Sequence, residues 1–336
     1  MSLRILRPGL LTTIQDRGRR GLQHLGVVPA GAMDPVALAL ANALVGNRDG
    51  EAALEATLIG PEIVFEEDVL VALCGAQFDA RVEGTALPLD RPIFLKAGRA
   101  LALRRAIRGV RAYLAVAGGI AVPPVLGSRS TYLPARFGGL EGRALRKDDV
   151  LPLDPNVAGL SSMRYEKLSG RGVVRAGLGT VRWSAPALTL PDREPILVHV
   201  IEGRHYTEFD ADSKRRFLDA VWQISPDSNR MGYRLAGAAL ARPQGGEILS
   251  EPTCLGTVQV PANGAPIVLM ADHQTTGGYP KIAEVAGADV PRLAQLGPGG
   301  TLRFARCSLE TALELRRALN ARLASALRAI AWEHGQ

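Results

Sequence analysis

The sequence predicts a mainly β protein of two domains with few helices. Short apolar runs recur about every ten residues, a spacing typical of closed β-barrels and β-sandwiches. The 37 glycines and 22 prolines supply turns between these runs. A chain of 336 residues is also longer than one hydrophobic core usually organises.

The predicted strands fall into two groups. In the first half they are 62–65, 69–73, 78–82, 100–103 and 111–116. In the second half they are 195–201, 256–261, 266–270 and 301–304. A glycine-rich, weakly apolar stretch separates the groups. We therefore expect a first domain over 1–155, a linker over 156–190, a second domain over 191–310 and a C-terminal helix over 311–336.

Three helices are predicted from local signals. Asp34-Pro35 combines an N-cap carboxylate with a proline at the first helical position, and the helix should run over 36–45 and stop before Gly46. A second short helix is expected over 213–221. The C-terminal helix shows apolar residues at steps of three and four, with its arginines on a solvated face. The apolar positions are Leu315, Leu319, Leu323, Ala326 and Ile330.

The net charge and the hydropathy of the chain limit the classes of function that the sequence supports. The formal net charge is +7, but no long basic block interleaved with aromatic residues exists, so nucleic-acid binding is not favoured. The positive net charge is compatible with anionic substrates or with an acidic partner surface. No apolar run approaches the roughly 18 to 20 residues that span a bilayer, and the N-terminus lacks a signal-peptide core. A cytoplasmic location without membrane contact is expected.

The cysteines and short motifs limit cofactor chemistry. Cys74, Cys254 and Cys307 form no Cys-x-x-Cys pair, so neither a zinc site nor a disulfide framework is expected. Cys74 is predicted to be a buried hydrophobe, and a catalytic thiol at Cys254 remains an alternative. A phosphate-binding loop, a zinc helix and a nucleophile elbow are absent. Since no methionine precedes a lysine, biotin is not expected to be carried on this chain.

A polar segment after the strand 266–270 is the main candidate binding loop. Asp272, His273, Gln274, Thr275 and Thr276 are five consecutive hydrogen-bonding residues, too many to bury in a core. Glycines then allow close approach of backbone to a ligand. Such a cluster at a strand end is typical of binding loops, and a solvated hairpin loop is the alternative. The remaining candidates here are Gly277, Gly278 and Tyr279.

Two polar clusters in the first half flank glycines. Gln15 and Asp16 follow a short β run, as turn residues or ligand contacts would. Arg129 lies among hydroxyl side chains in the loop 127–132, which suits a carboxylate or a phosphate. Glu55 stands in an apolar window and should therefore be paired or exposed.

Further candidates lie in the second half. Arg230 and Arg234 are four residues apart around a glycine, and Ser250 and Gln259 stand at strand edges. A structural role is the alternative to ligand binding for two of these residues. In that role Arg230 forms an ion pair that stabilises a turn, and Glu55 is a paired structural acid. So many glycine-flanked polar clusters in one chain are nevertheless hard to explain as turns alone.

These segments resemble the allophanate hydrolase subunit 2 family, also called the biotin-dependent carboxyltransferase family, from about residue 4 to 306. The resemblance implies two tandem cyclophilin-like β-barrel domains. One departure is 202–205, Glu-Gly-Arg-His, where the family often has Pro-Gly-Pro-His. The matching segments are 15–19, 31–34, 41–47, 54–57, 60–61, 127–132, 229–235, 256–261 and 272–280.

The resemblance also implies an activity shared with partners. It indicates the C component of an ATP-dependent 5-oxoprolinase, which opens 5-oxoproline to L-glutamate together with a B component (allophanate hydrolase subunit 1-like) and an A component. ATP, with magnesium, is expected to be bound with a partner subunit. Alternatives are a subunit of carboxyltransferase type that uses urea, allophanate or another small amide, and a regulatory protein that antagonises a kinase inhibitor.

Residue roles are assigned on this basis. Asp272 or Glu55 is expected to accept a proton, and Arg230 to bind an anion. The remaining candidates are expected to bind substrate: Gln274, Thr275, Gly277, Gly278, Tyr279, Arg129, Gln259, Ser250, Arg234, Gln15 and Asp16.

Overall fold

The computed structural model describes residues 1–169, 172–175, 178–243 and 248–335, with only the backbone considered at 169 and 172–175. The chain forms two compact units. The first comprises 1–19, 34–190 and 322–336, and the second comprises 20–33 and 191–321.

The first unit is built on one eleven-stranded sheet. Its strands are β1 (Ser2–Arg7), β2 (Leu11–Gln15), β3 (Ala53–Thr57), β4 (Glu62–Phe65), β5 (Val69–Val82), β6 (Thr85–Ala86), β7 (Ile93–Leu95), β8 (Ala100–Val116), β9 (Val150–Pro152), β10 (Gly172–Arg175) and β11 (Leu178–Val181). The main path runs β10–β11–β7–β5–β8–β4–β1–β9. Strand β3 joins β2 to β8, and β6 pairs with β5.

Alternating side chains give part of this sheet two different faces. Ile14, Leu54 and Leu114 point into the apolar core. Their neighbours Glu55 and Tyr113 are paired across β3 and β8 and are equally buried on the other face. The first unit therefore buries a polar sheet face as well as an apolar one.

The second unit contains a closed seven-stranded barrel in the order β12–β19–β16–β17–β14–β13–β20. The strands of the second unit, inside and outside the barrel, are β12 (Ile196–Glu202), β13 (Trp222–Ile224), β14 (Gly232–Ala236), β15 (Glu251–Pro252), β16 (Thr257–Gln259), β17 (Ile267–Leu269), β18 (Thr276–Gly277), β19 (Lys281–Val285) and β20 (Thr301–Arg306). Strands β12 and β20 pair in parallel, and the other barrel pairs are antiparallel. Strands β15 and β18 form a separate two-stranded ribbon, called here the glycine ribbon.

Five α-helices complete the described structure. They are α1 (Pro35–Leu44), α2 (Val157–Ser169), α3 (Ala211–Asp219), α4 (Val290–Leu293) and α5 (Leu309–Glu333). Short 3-10 helices cover Gln23–Leu25 and Tyr206–Glu208. The prediction of a mainly β fold with few helices and a helical C-terminus is confirmed. On α5 the predicted stripe is at least half-buried, and its arginines are exposed. None of the described helices is long and apolar enough to cross a membrane.

Two differences between the structure and the sequence-based expectation concern the first unit. Two pairs of predicted strands are single long strands, β5 and β8, because the backbone continues through Gly75 and Gly109 at positive φ with shifts in register. The stretch 156–190, expected to be a linker, holds α2 and two strands, and β11 pairs with β7. The apolar periodicity of this stretch is too weak to predict these elements from the sequence. Positions 170–171 and 176–177 of the stretch lie outside the described residues.

The start of α1 follows the predicted capping chemistry. The Asp34 Oδ1 atom accepts a hydrogen bond from the Ala37 N–H at 3.0 Å. Its Oδ2 atom accepts one from the Thr189 hydroxyl at 2.6 Å. The carboxylate is fully buried, so it caps the helix and also ties the segment around Thr189 to it.

We expect Asp34→Ala to lower the free energy of unfolding by about 1 to 2 kcal/mol, because an N-cap acceptor is lost. Asp34→Asn keeps an acceptor for the Ala37 N–H and should lose less. Urea titration would measure both variants. Asp210→Ala, which removes the cap of the more exposed α3, is the matched control and should have a smaller effect. An Asp34→Ala variant as stable as the wild type would contradict this role.

Candidate functional site

The predicted binding loop begins with a buried ion pair. Both carboxylate oxygens of Asp272 accept hydrogen bonds from the Arg230 guanidinium, each at 2.9 Å. The Arg230 Nη2 atom also donates to the Gly31 carbonyl at 2.6 Å, and the Asp272 N–H donates to the Arg230 carbonyl at 2.8 Å. Both side chains are almost fully buried. The pair thus anchors the end of β17 to the chain around Gly31.

A buried polar layer lies where the glycine ribbon meets the outer face of the barrel. Val258 and Ala283 point into the barrel core. Gln259 is the cross-strand partner of Lys281, and Thr257 is the partner of Glu284. Because cross-strand partners share a face, these polar side chains lie together outside the apolar core.

Gln259 is the centre of this polar layer. Its side chain is 1% exposed, and its Nε2 atom has no hydrogen-bond partner among the described residues. Its Oε1 atom accepts a hydrogen bond from Gln274 Nε2 at 3.4 Å. A Cβ atom at Gly277 would lie 2.7 Å from Gln259 Nε2 and 3.1 Å from Gln274 Nε2. A side chain at 277 would therefore have to displace the two amides, and Gln259 Nε2 is a buried donor without a partner among the described residues.

An ionic cluster holds the glycine ribbon onto β19. Lys281 Nζ donates to Glu251 Oε1 at 2.8 Å and to the Pro252 carbonyl at 2.6 Å. His205 Nδ1 accepts the Lys281 N–H at 3.1 Å, while His205 Nε2 lies 3.6 Å from Glu251 Oε1. The hydrogen bond from Lys281 lowers the pKa of Glu251. Glu251 is therefore ionised at neutral pH and pairs with the buried ammonium.

The departure at 202–205 has a structural consequence in this cluster. Arg204 Nη1 lies 3.2 Å from Glu251 Oε2, so the arginine that replaces a proline adds a cation to the cluster. The glycine remains essential, because a Cβ atom at Gly203 would lie 2.5 Å from the Lys281 carbonyl oxygen. His205 lies beside Lys281 and Glu251.

Two further titratable groups border the loop. His273 is buried, and its Nδ1 atom lies 2.7 Å from the Gln274 carbonyl oxygen. Burial lowers the pKa of His273, so the ring is neutral at pH 7. Burial raises the pKa of Glu284, which accepts hydrogen bonds from the Thr257 hydroxyl and the Cys254 thiol at 2.7 and 3.2 Å.

The cysteines show no sign of an activated thiolate. Desolvation is the main cause that raises the pKa of Cys254, and the nearby Glu284 carboxylate raises it further. A thiol in such surroundings is a weak nucleophile at neutral pH. Cys74 is buried, as predicted.

The other candidates of the second unit lie at varying distances from this layer. Ser250 and Tyr279 are exposed on either side of the loop, and a Cβ atom at Gly278 would lie 3.6 Å from Ser250 Oγ. The Thr275 carbonyl accepts the Thr253 N–H at 3.0 Å, which fixes the loop to β15. Arg234 is exposed on β14, in a separate surface concavity beside Ser225 and Asp227.

In the first unit, Asp16 is the centre of a hydrogen-bond network. Its Oδ1 atom accepts bonds from the Ser128 and Ser130 hydroxyls at 2.6 and 2.5 Å and from the Gly18 N–H at 2.7 Å. Its Oδ2 atom accepts the Arg129 N–H at 2.6 Å. Asp16 therefore organises the hydroxyl-rich loop 127–132.

Arg129 and Gln15 lie beside this network. The Arg129 Nε atom donates to the Val122 carbonyl at 2.9 Å, and its Nη1 atom lies 3.7 Å from Glu51 Oε2. Gln15 Nε2 donates to Thr13 Oγ1 and to the Thr131 carbonyl, both at 3.1 Å. The fully buried Gln15 Oε1 atom has no hydrogen-bond partner in the described part of the chain.

Glu55 belongs to the buried polar face of the sheet. Its Oε2 atom accepts a 2.6 Å hydrogen bond from the Tyr113 hydroxyl, whose oxygen accepts the Asp34 N–H at 2.8 Å. Arg111 Nε lies 3.9 Å from Glu55 Oε1. Burial is the main reason that the pKa of Tyr113 lies well above its usual range, and the charges of Glu55 and Asp34 add to it. Tyr113 is thus a neutral donor that orients the Glu55 carboxylate.

The structure therefore brings several of the predicted residues together in each unit, while Arg234 lies apart from them. Gln259, Gln274 and Gly277 meet in the second unit, and Arg230 with Asp272 anchors the same loop. Gln15, Asp16 and Arg129 form the group in the first unit, with Glu55 on the strand next to Gln15. Sequence reasoning did not assign roles to Lys281, Glu251 or Tyr113. No short motif marks these residues, because cross-strand register brings them into place. Within the described ranges, no group of three or more histidine, cysteine or acidic side chains is arranged to hold a metal ion.

Comparison with known proteins gives consistent relatives over nearly the whole chain. The family described as carboxyltransferase domain, subdomains A and B, matches residues 25–306. The chain is 44% identical to the C subunit of 5-oxoprolinase from Escherichia coli, over 94% of each chain. It is 38% identical to the C subunit of 5-oxoprolinase from Haemophilus influenzae, over 91% of each chain.

A solved structure shows the same fold inside a longer protein. The crystal structure of the K. lactis urea amidolyase superposes with a TM-score of 0.84 and 31% identity. The alignment covers 97% of this chain but 20% of the amidolyase, so the chain spans about a fifth of that protein.

We expect Gly277→Ala to destabilise the fold by about 1 to 3 kcal/mol, because its Cβ would overlap the two buried amides. Urea titration would measure the change. Gly159→Ala is the matched control, since no atom lies within 4 Å of the added Cβ and α2 should tolerate alanine. Equal stability of Gly277→Ala and the wild type would show that the amides do not require glycine there.

Proposed function

This chain belongs to the carboxyltransferase domain family, subdomains A and B, and from that premise we propose that it is the C component of an ATP-dependent 5-oxoprolinase. Acting with the A and B components, it opens the lactam ring of 5-oxoproline to give L-glutamate. The observation that carries the proposal is the 44% identity to the C subunit of a 5-oxoprolinase over 94% of both chains. Similarity of this extent is more specific than fold alone.

The polar layer under the glycine ribbon supports recognition of a small amide. A lactam is a stable amide, and phosphorylation of its carbonyl oxygen would make the ring carbon electrophilic enough for attack by water. Neutral N–H donors fixed in a water-poor site stabilise the negative charge on the phosphoryl oxygens during such a transfer. Gln259 Nε2 has this character, with Gln274 and the Gly277–Gly278 backbone beside it.

Arg230 and Asp272 act in this proposal as one unit. Two hydrogen bonds join the guanidinium to the carboxylate, so neither group is an isolated charge. The pair holds the loop 272–280 at the end of β17. Substrate contacts are assigned to Gln274, Thr275 and Tyr279 of this loop.

Glu55 is the proposed proton acceptor of the first unit. The Tyr113 hydroxyl donates to one of its carboxylate oxygens at 2.6 Å and so orients the carboxylate. ATP, with magnesium, is the proposed co-substrate of the assembly and is bound together with a partner subunit. The sequence lacks a phosphate-binding loop motif, which is compatible with ATP being bound together with a partner subunit.

A specific observation supports a second candidate, a carboxyltransferase-type activity on urea or another small amide. The urea amidolyase of Saccharomyces cerevisiae is 31% identical over 94% of this chain, although that alignment covers 17% of the yeast protein. Dependence on bicarbonate and on biotin carried by another protein, with inhibition by avidin, would distinguish this activity from a 5-oxoprolinase.

We expect 5-oxoproline-dependent ATP hydrolysis from a mixture of this chain with its candidate A and B components, and none from this chain alone. Release of glutamate and phosphate in equal amounts is the measurement. Omission of each component in turn is the control. A stable complex without turnover would contradict the oxoprolinase proposal, and bicarbonate and a biotinylated partner would then be added to test carboxyl transfer.

In the same assay Gln259→Leu should lower kcat/KM about 100-fold, the effect of removing one donor to a developing oxyanion. Leucine fills a similar volume and removes a buried donor that lacks a partner among the described residues, but Gln274 loses its acceptor. The free energy of unfolding should therefore fall by about 1 kcal/mol at most. Gln223→Leu, at an exposed glutamine of β13, is the matched control. Full activity of Gln259→Leu would overturn the assignment of this donor.

A further inference from the structure

A cluster of exposed aliphatic side chains lies at one edge of the first unit. Leu10, Ile59 and Ile107 are 62%, 51% and 69% exposed. Single exposed aliphatic residues are common, whereas a contiguous exposed apolar patch is typical of an interaction surface. We call these three residues, with the arginines that flank them, the basic apolar patch.

The backbone brings the three side chains together. The Leu10 N–H donates to the Ile59 carbonyl at 2.8 Å, and Ile59 forms an antiparallel bridge with Arg105. Ile107 follows two residues along the same strand, β8. Gly9 makes this approach possible, since a Cβ atom there would lie 2.3 Å from the Ile59 carbonyl oxygen, and its φ is +75°. The fold thus uses a turn that requires glycine to hold Leu10 beside Ile59.

Arginines flank the apolar residues. Arg104 and Arg105 come shortly before Ile107 on β8, and both side chains are exposed. Arg104 Nη1 lies 3.8 Å from Asp79 Oδ2, a distance typical of a weak surface pair. Arg108 follows Ile107 directly. The patch is therefore apolar at its centre and basic at its rim, the composition typical of a protein interface.

We propose that the basic apolar patch is the docking surface for an acidic protein partner, the complementary subunit of the assembly; this rests on the proposed function. A second copy of this chain is a poor occupant, because a symmetric contact would bring arginines against arginines. A nucleic acid is also a poor occupant, since aliphatic side chains fill the centre where phosphate contacts would be needed. The partner presents an apolar centre surrounded by carboxylates.

The test measures binding of the full chain to its candidate B component by biolayer interferometry at low and high salt. The double variant Ile59→Asp/Ile107→Asp should raise Kd by about 30-fold or more, as expected for the loss of central interface residues. Arg105→Glu should lower the association rate and reduce its salt dependence. Leu309→Asp, at a 56% exposed leucine of α5, is the matched control and should bind normally.

Each result has a distinct meaning. Weakened binding of the patch variants, with unchanged circular dichroism spectra and normal binding of Leu309→Asp, supports the docking surface. Equal binding of all variants overturns it while leaving the proposed function intact. Absence of any complex with the wild-type chain overturns both. Self-association of the wild-type chain that the double variant abolishes would make a second copy the occupant and overturn the acidic partner.

Discussion

The buried ion pair between Arg230 and Asp272 is the interaction on which the second unit's candidate site depends. Two parallel hydrogen bonds satisfy the carboxylate, and the guanidinium also holds the Gly31 carbonyl. Loss of one partner would leave a buried charge uncompensated, at a cost of about 3 to 5 kcal/mol. The loop 272–280 leaves the barrel from this fixed point, so the pair holds one end of the segment that contains β18 of the glycine ribbon.

The glycine ribbon has its own electrostatic support. A ribbon of two-residue strands has too little hydrogen bonding to be stable alone. Lys281 compensates by donating to both the side chain of Glu251 and the backbone of Pro252. Arg204 adds a second cation to Glu251 in place of a family proline.

Within this supported layer the Gln259 amide is different from its neighbours. Folded proteins rarely leave a buried donor without a partner, and the exceptions often mark functional positions. Gly277 and Gln274 crowd this amide and limit the orientations that it can adopt. A preorganised donor of this kind suits an oxygen whose charge grows during a reaction. In the first unit Glu55, oriented by Tyr113, is the corresponding preorganised group.

The sequence by itself determined the features that depend on local chemistry. Short apolar runs predicted the barrel strands β12, β16, β17 and β20. The Asp34-Pro35 signal predicted the start of α1, and the polar segment after β17 predicted the loop. Tertiary structure alone decided that Gln259 lies beside Lys281 and that Tyr113 reaches Glu55. It also decided that β5 and β8 continue through their glycines and that 156–190 packs as helix and strands. These outcomes depend on register between strands distant in sequence, where a shift of one residue would turn every side chain to the opposite face.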